Sequence, residues 1–173
     1  LNLIKKEFLK NNKASFNIST GSTAKLFAQI LNKAPIDIFL SADQLTIEKI
    51  PDNKKIKVSK FTYAIGSLVI FSKTRVNNED KFENILLKRF SNKIVIANPK
   101  FSPYGRASKQ VLESLGILSL FENKIILASN INQVSSFIYS GNVDLGIISN
   151  SEKLKLKKYK LGYFKEIPQN LYT

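Results

Sequence analysis

Ser19, Thr20, Ser22 and Thr23 crowd their hydroxyls around Gly21, directly ahead of Ala24-Lys25-Leu26-Phe27-Ala28-Gln29-Ile30. Ala24, Phe27, Ala28 and Leu31 fall at i, i+3, i+4 and i+7, the spacing of an amphipathic helix. Ser or Thr at such a start caps the helix, whose first backbone N–H groups have no partner inside it. Those groups sit at the positive end of the helix dipole, which makes the turn an anion site. An oxyanion held at Ser19 to Thr23 is therefore the working expectation, with the rest of the chain completing its cage.

Two further strand-to-helix turns have the same character, Ser102 to Gly105 and Ser129 to Gln133. Taken singly, each of the three is better explained by plain helix capping. Gly21-Ser22-Thr23-Ala24-Lys25 is not a P-loop, because the G-x-x-x-x-G-K-[ST] spacing is missing. Asp37, Asp43 and Asp144 are the carboxylates in view as acids or metal ligands. Asp43 reads better as a helix-start residue, Asp37 and Asp144 as strand residues bonding local backbone, and none has calcium-loop spacing. The chain has neither His nor Cys. That excludes a thiolate nucleophile, a Ser-His-Asp triad, an imidazole base and a His/Cys zinc site in these residues. No nucleophile–base pair can be assembled, so an enzyme is not expected.

Strand and helix alternate around these turns. The reading is a helix over 1–10, a strand over 14–18, a helix over 23–32 and a strand over 36–40 buried on both faces. Pro35 fixes the boundary between the last two. A short helix from Ser41-Ala42-Asp43 to Ile50 and a turn at Pro51-Asp52-Asn53 follow. Tyr63 to Phe71 reads as one long strand, in which Gly66 marks a bulge or a close approach. Phe82, Ile85, Leu86 and Phe90 give a helix, Ile94 to Ala97 a buried strand, and Ala107, Val111, Leu112 and Leu115 the inner face of a helix stopped by Gly116. Ile125 to Leu127 is a strand and Ser129-Asn130 caps a helix ended by Gly141. Val143 to Ile148 is a strand, the stretch from Ser151 a lysine-rich loop, and Tyr159 to Ile167 an exposed strand. Such alternation predicts an α/β fold with parallel sheets and helices on both faces.

At 173 residues, with 43% hydrophobic and 23% charged residues, the chain has the balance of a globular protein. No run approaches the roughly 20 apolar residues of a membrane span. The net charge of +14 invites a nucleic-acid reading. The lysines are scattered, however, and no basic cluster is flanked by base-stacking aromatics. Nucleic acid is not an expected partner; diffuse positive charge that steers small anions is. The sequence opens at Leu1 in mid-helix and contains no Met, which reads as a piece of a longer protein.

The blocks Gly21 to Ile30 and Ala34-Pro35-Ile36-Asp37-Ile38-Phe39-Leu40-Ser41-Ala42-Asp43-Gln44 resemble the molybdate-binding proteins of ABC transporters. The likeness continues at Tyr63 to Val69, at Asn98-Pro99-Lys100 with Pro103-Tyr104-Gly105-Arg106-Ala107, and at Ser140 to Gly146. It implies a two-lobed periplasmic-binding-protein-like (type II) fold, each lobe a mostly parallel sheet flanked by helices. Residues 1–69 would form the first lobe, with 168–173 crossing back to it, and 70–167 the second. The family's first strand, with a serine turn, is expected ahead of Leu1, and the rest of the first lobe beyond Thr173. The resemblance implies oxyanion donors at Ser22 and Thr23, a backbone amide at Tyr104, another at Ile131, and the Tyr172 side chain. It implies no cofactor and no direct metal ligation by side chains, the ligand being molybdate or tungstate. The expected partner is an ABC permease, the expected state a monomer and the expected place periplasmic or extracytoplasmic. A cytoplasmic oxyanion-sensing or storage module, and sulfate as ligand, stand as the alternatives.

Overall fold

The computed structural model describes residues 2–51, 59–77, 80–89 and 93–173. Leu1 of the first helix, the Asp52-Asn53 turn and Phe90 lie outside the described residues. One sheet of five strands organises the chain from Leu68 onward, in the order β3-β2-β4-β1-β5. Its strands are β1 (Leu68–Ser72), β2 (Ile94–Ala97), β3 (Ile125–Ala128), β4 (Leu145–Ser149) and β5 (Tyr163–Glu166). Parallel pairing holds in the β3-β2-β4 half, with Ile94 opposite both Ile125 and Leu145. β1 and β5 depart from it: β1 runs antiparallel to β4 with Leu68 opposite Ser149, and β5 antiparallel to β1. β1 enters the sheet at the edge where β4 leaves it, so it must run the other way. Hydrophobic periodicity carries no such direction.

β1, β2 and β4 read as continuous apolar runs because both faces are covered. Leu68, Ile70, Ile94, Ile96, Leu145 and Ile147 point to one side. There they pack on α4 (Phe82–Leu87) and α5 (Pro103–Ser114) through Ile85, Leu86, Val111 and Leu112. Val69, Phe71, Val95, Ala97 and Ile148 face the other side, against Val134 and Ile138 of α7 (Ile131–Tyr139) and Leu156 of α8 (Asn150–Lys158). Burial of each such side chain stabilises the fold by about 1.5–3 kcal/mol. A short helix, α6 (Leu118–Phe121), adds Phe121 to the first face.

α8 corrects an expectation: the lysine-rich stretch from Ser151 is a helix rather than a loop. Ser149 Oγ accepts the Glu152 N–H at 3.3 Å, Leu156 is buried, and Lys155, Lys157 and Lys158 occupy the last turn. Cap, buried anchor and C-terminal cations all favour a helix.

Among the described residues, 2–66 contribute helices and no strand: α1 (Asn2–Phe8), α2 (Thr23–Leu31) and α3 (Gln44–Glu48). The strands expected at 14–18 and 36–40 form no ladder here. Ile38, read as buried, is 71% exposed, and Ile36 and Leu40 are exposed as well. A strand exists only with a partner, and no described residue pairs with either segment. The long strand expected from Tyr63 likewise begins only at Leu68. α2 ends as Pro35 requires, through a Schellman motif. Ala34 N–H bonds Gln29 C=O at 2.9 Å, Lys33 N–H bonds Ile30 C=O at 2.9 Å, and Lys33 takes φ +60°.

Candidate functional site

α7, α5 and α8 follow β3, β2 and β4, which are neighbours in the sheet, so their N-termini gather at one edge. In open α/β sheets that edge is where ligands bind. β1 starts there too: Asn150 N–H bonds Ser67 C=O at 2.9 Å. The N-terminus of α2 meets this edge through Ala24 N–H, which donates to Phe101 C=O at 3.3 Å.

Ser22 is the N-cap of α2, with the extended backbone (φ −69°, ψ 147°) that a cap requires, yet its side chain makes no cap bond. Ser22 is 4% exposed, and its Oγ has no hydrogen-bond partner. A buried hydroxyl left unpaired costs about 1–3 kcal/mol. Thr23, the first residue of the helix, is 7% exposed. The unpaired Ser22 hydroxyl, the buried Thr23 and the N-terminus of α2 thus lie together at one place.

Tyr104 is the second residue of α5, after Pro103, so its N–H belongs to the first turn, which has no intrahelical acceptor. Its carbonyl accepts Ser108 Oγ at 2.7 Å. Gly105 lets this turn sit on β2: a Cβ there would lie 2.3 Å from Ala97 O. The Tyr104 ring lies over Gly66, where a Cβ would come 2.7 Å from its Oη. Gly66 therefore marks a close approach, by a side chain. Burial pushes the Tyr104 phenol up from its ordinary 10.0, and the neighbouring Tyr63, Tyr172 and Glu152 push the same way.

Ile131 opens α7. Asn130 Oδ1 accepts Gln133 N–H at 3.0 Å, and Ser129 N–H donates to Gln133 Oε1 at 2.5 Å. The Ile131 amide stands outside both bonds, while its side chain packs into the second core face. Tyr172 approaches the same edge from the far end of the chain, and its hydroxyl accepts Leu68 N–H at 2.9 Å. That bond leaves the Tyr172 proton as its one donor. Tyr104, Ile131 and Tyr172 thus belong to a single sheet edge, joined by the turn of Ser22 and Thr23 through Ala24.

Two features beside this edge escaped the sequence reading. Glu152 is a buried carboxylate in the first turn of α8, paired with Lys155, and Ser149-x-x-Glu152 is a capping-box signature that marks it. Arg106 pairs with Asp43 across 63 positions of sequence, and no local spacing announces such a contact. Asp43 also caps α3, accepting Thr46 N–H at 3.0 Å, as its helix-start reading required. No group of three or more His, Cys, Asp or Glu gathers among the described residues.

The whole chain, residues 1–173, matches the family model of bacterial extracellular solute-binding proteins. It is 35% identical over 170 residues to the molybdate-binding protein ModA of Azotobacter vinelandii, covering 98% of this chain and 67% of that relative. It is 32% identical over 153 residues to ModA of Rhodobacter capsulatus, covering 88% and 59%. The chain thus spans about two thirds or less of the length of these relatives. Its structure superposes on the Azotobacter vinelandii periplasmic molybdate-binding protein with a TM-score of 0.85 at 33% identity, covering 99% of this chain and 75% of that one. The chain belongs to the bacterial extracellular solute-binding proteins.

Proposed function

We propose that this chain captures molybdate or tungstate outside the cytoplasm and presents it to the permease of an ABC importer, without chemical turnover. Residues 1–69 with 168–173, and 70–167, would act as two lobes closing on the ion. Donors come from Ser22 and Thr23 on one side, from the Tyr104 and Ile131 amides on the other, and from the Tyr172 hydroxyl between. The buried Ser22 Oγ without a partner is the observation that carries this reading. A hydroxyl withdrawn from both water and cap bond acquires a reason when an oxyanion accepts from it. Molybdate and tungstate are fully deprotonated dianions at neutral pH, so the cage needs donors alone. Hydroxyls and helix-end amides supply them without a cationic counter-ion. Closure follows because a ligand that bonds both lobes stabilises the closed state over the open one. The similarity to two molybdate-binding relatives favours these dianions over sulfate.

Isothermal titration of the full chain with molybdate, tungstate, sulfate and phosphate is the test. Heat with molybdate or tungstate, absent with phosphate, is the expected result. Silence with both metal oxyanions sinks the proposal.

A further inference from the structure

The first turns of α5 carry more than the proposed Tyr104 amide. Arg106, two residues on, donates through Nη2 to Asp43 Oδ2. Asp43 is held for this role on every side. Its Oδ1 accepts Thr46 N–H at 3.0 Å, and its own N–H donates to Ser41 Oγ at 3.2 Å. The Ser41 hydroxyl in turn donates to Asp43 C=O at 2.7 Å. The carboxylate is therefore oriented before the guanidinium arrives, which removes most of the ordering cost that weakens ordinary surface pairs. It is also sheltered: the Asp43 side chain is 14% exposed and that of Arg106 43%. The turn just ahead of α5 takes the Ala24 N–H on Phe101 C=O, beside Ser22 and Thr23.

We propose, resting on the oxyanion reading, that Arg106 and Asp43 form a closure latch. The pair is a positioning device: it holds the α2–α3 segment against the start of α5, so that the Ser22 and Tyr104 donors reach one ion. It touches no ligand. A latch of this kind acts on the bound state and governs dissociation rather than encounter.

Stopped-flow association and dissociation of molybdate with the full chain tests the latch, using Asp43→Asn, Arg106→Gln and the double variant. Asn is as good an N-cap as Asp, so Asp43→Asn removes the charge and keeps α3. Each single variant is expected to dissociate about five- to tenfold faster, a size suited to a partly sheltered charge pair. The association rate should hold within about twofold and the double variant should be no faster than the singles, as for two halves of one contact. Arg106→Lys should recover part of the loss, and the ligand-free melting temperatures should stay together. Unchanged dissociation in the singles, additive effects in the double, or a ligand-free melting temperature that falls in step with affinity would each overturn the latch. Binding by the wild type with unaltered variants overturns the latch alone; no binding of molybdate or tungstate by the wild type overturns the oxyanion reading beneath it.

Discussion

Ser22 separates affinity from stability in a single side chain. Its Oγ is buried and has no hydrogen-bond partner, so Ser22→Ala removes a buried hydroxyl that no protein group satisfies. Stability without ligand should then hold or rise, since leaving the hydroxyl unpaired is the costly state. Oxyanion affinity should fall by about 1–3 kcal/mol, the size of a hydrogen bond to a charged group. Titration calorimetry beside thermal melting of the same variant checks both halves; a loss of stability with affinity intact contradicts them. Thr23→Ala should weaken binding by a similar amount, and unchanged affinity there assigns the wall to Ser22 and the backbone. Tyr104 gives a pH signature. Its phenol is raised above 10.0 by burial and by Tyr63, Tyr172 and Glu152, so the folded protein holds that proton longer than the unfolded chain. The stabilisation is fully present below about pH 10 and is lost as pH climbs through the raised value. Melting temperature followed from pH 8 to 11 should fall at the alkaline end, and Tyr104→Phe should fall less.

At the level of elements, α5 depends on a glycine that its helical pattern does not explain. A Cβ on Gly105 would stand 2.3 Å from Ala97 O and 2.7 Å from the Asn98 carbonyl carbon, both backbone atoms with no room to yield. Gly105→Ala should therefore cost more than the ~1–3 kcal/mol of ordinary overpacking, and denaturant melts should show it. Gly116→Ala meets no atom within 4 Å and bears only its φ of +66°, at about 1–2 kcal/mol. The two glycines differ in legibility for the same reason. Gly116 announces itself as a helix stop, a local matter, whereas the demand on Gly105 comes from β2 across the layer. The three helix starts at Ser22, Ser102 and Asn130 and the apolar runs of β2 and β4 were readable because N-cap residue types and double-sided burial leave local traces, although of the three only Asn130 makes a side-chain cap bond. Residues 14–18 and 36–40 carry strand patterns equally well, yet form no ladder, since periodicity reports a face and never a partner. α8 was legible and missed: Ser149-x-x-Glu152 has the capping-box spacing, but the lysines after it masked a helix anchored by Leu156. The Arg106–Asp43 contact left no trace in spacing at all.

Over the whole molecule, the net charge of +14 has to be reconciled with the proposed cage of neutral donors. The two act on different steps. In the proposed cage, hydroxyls and helix-end amides would work at contact distance and set how long a dianion stays. Lysines spread over the surface create a field of positive potential that reaches about a Debye length into solution, roughly 10 Å at 0.1 M salt. That field raises the rate at which a doubly charged anion arrives, whichever oxyanion it is. Steered association falls steeply with ionic strength, while contacts inside a closed site are screened far less. Raising salt from about 10 mM to about 300 mM should therefore slow molybdate association on the order of several-fold, in a range where such fields shrink to a few ångströms. Dissociation should change by less than about twofold, since the sheltered cage lies beyond the reach of screening. Stopped-flow traces at matched pH distinguish the steps. A salt effect carried mainly by the dissociation rate would mean that surface lysines, rather than the Ser22–Thr23 wall and the helix ends opposite it, hold the ion.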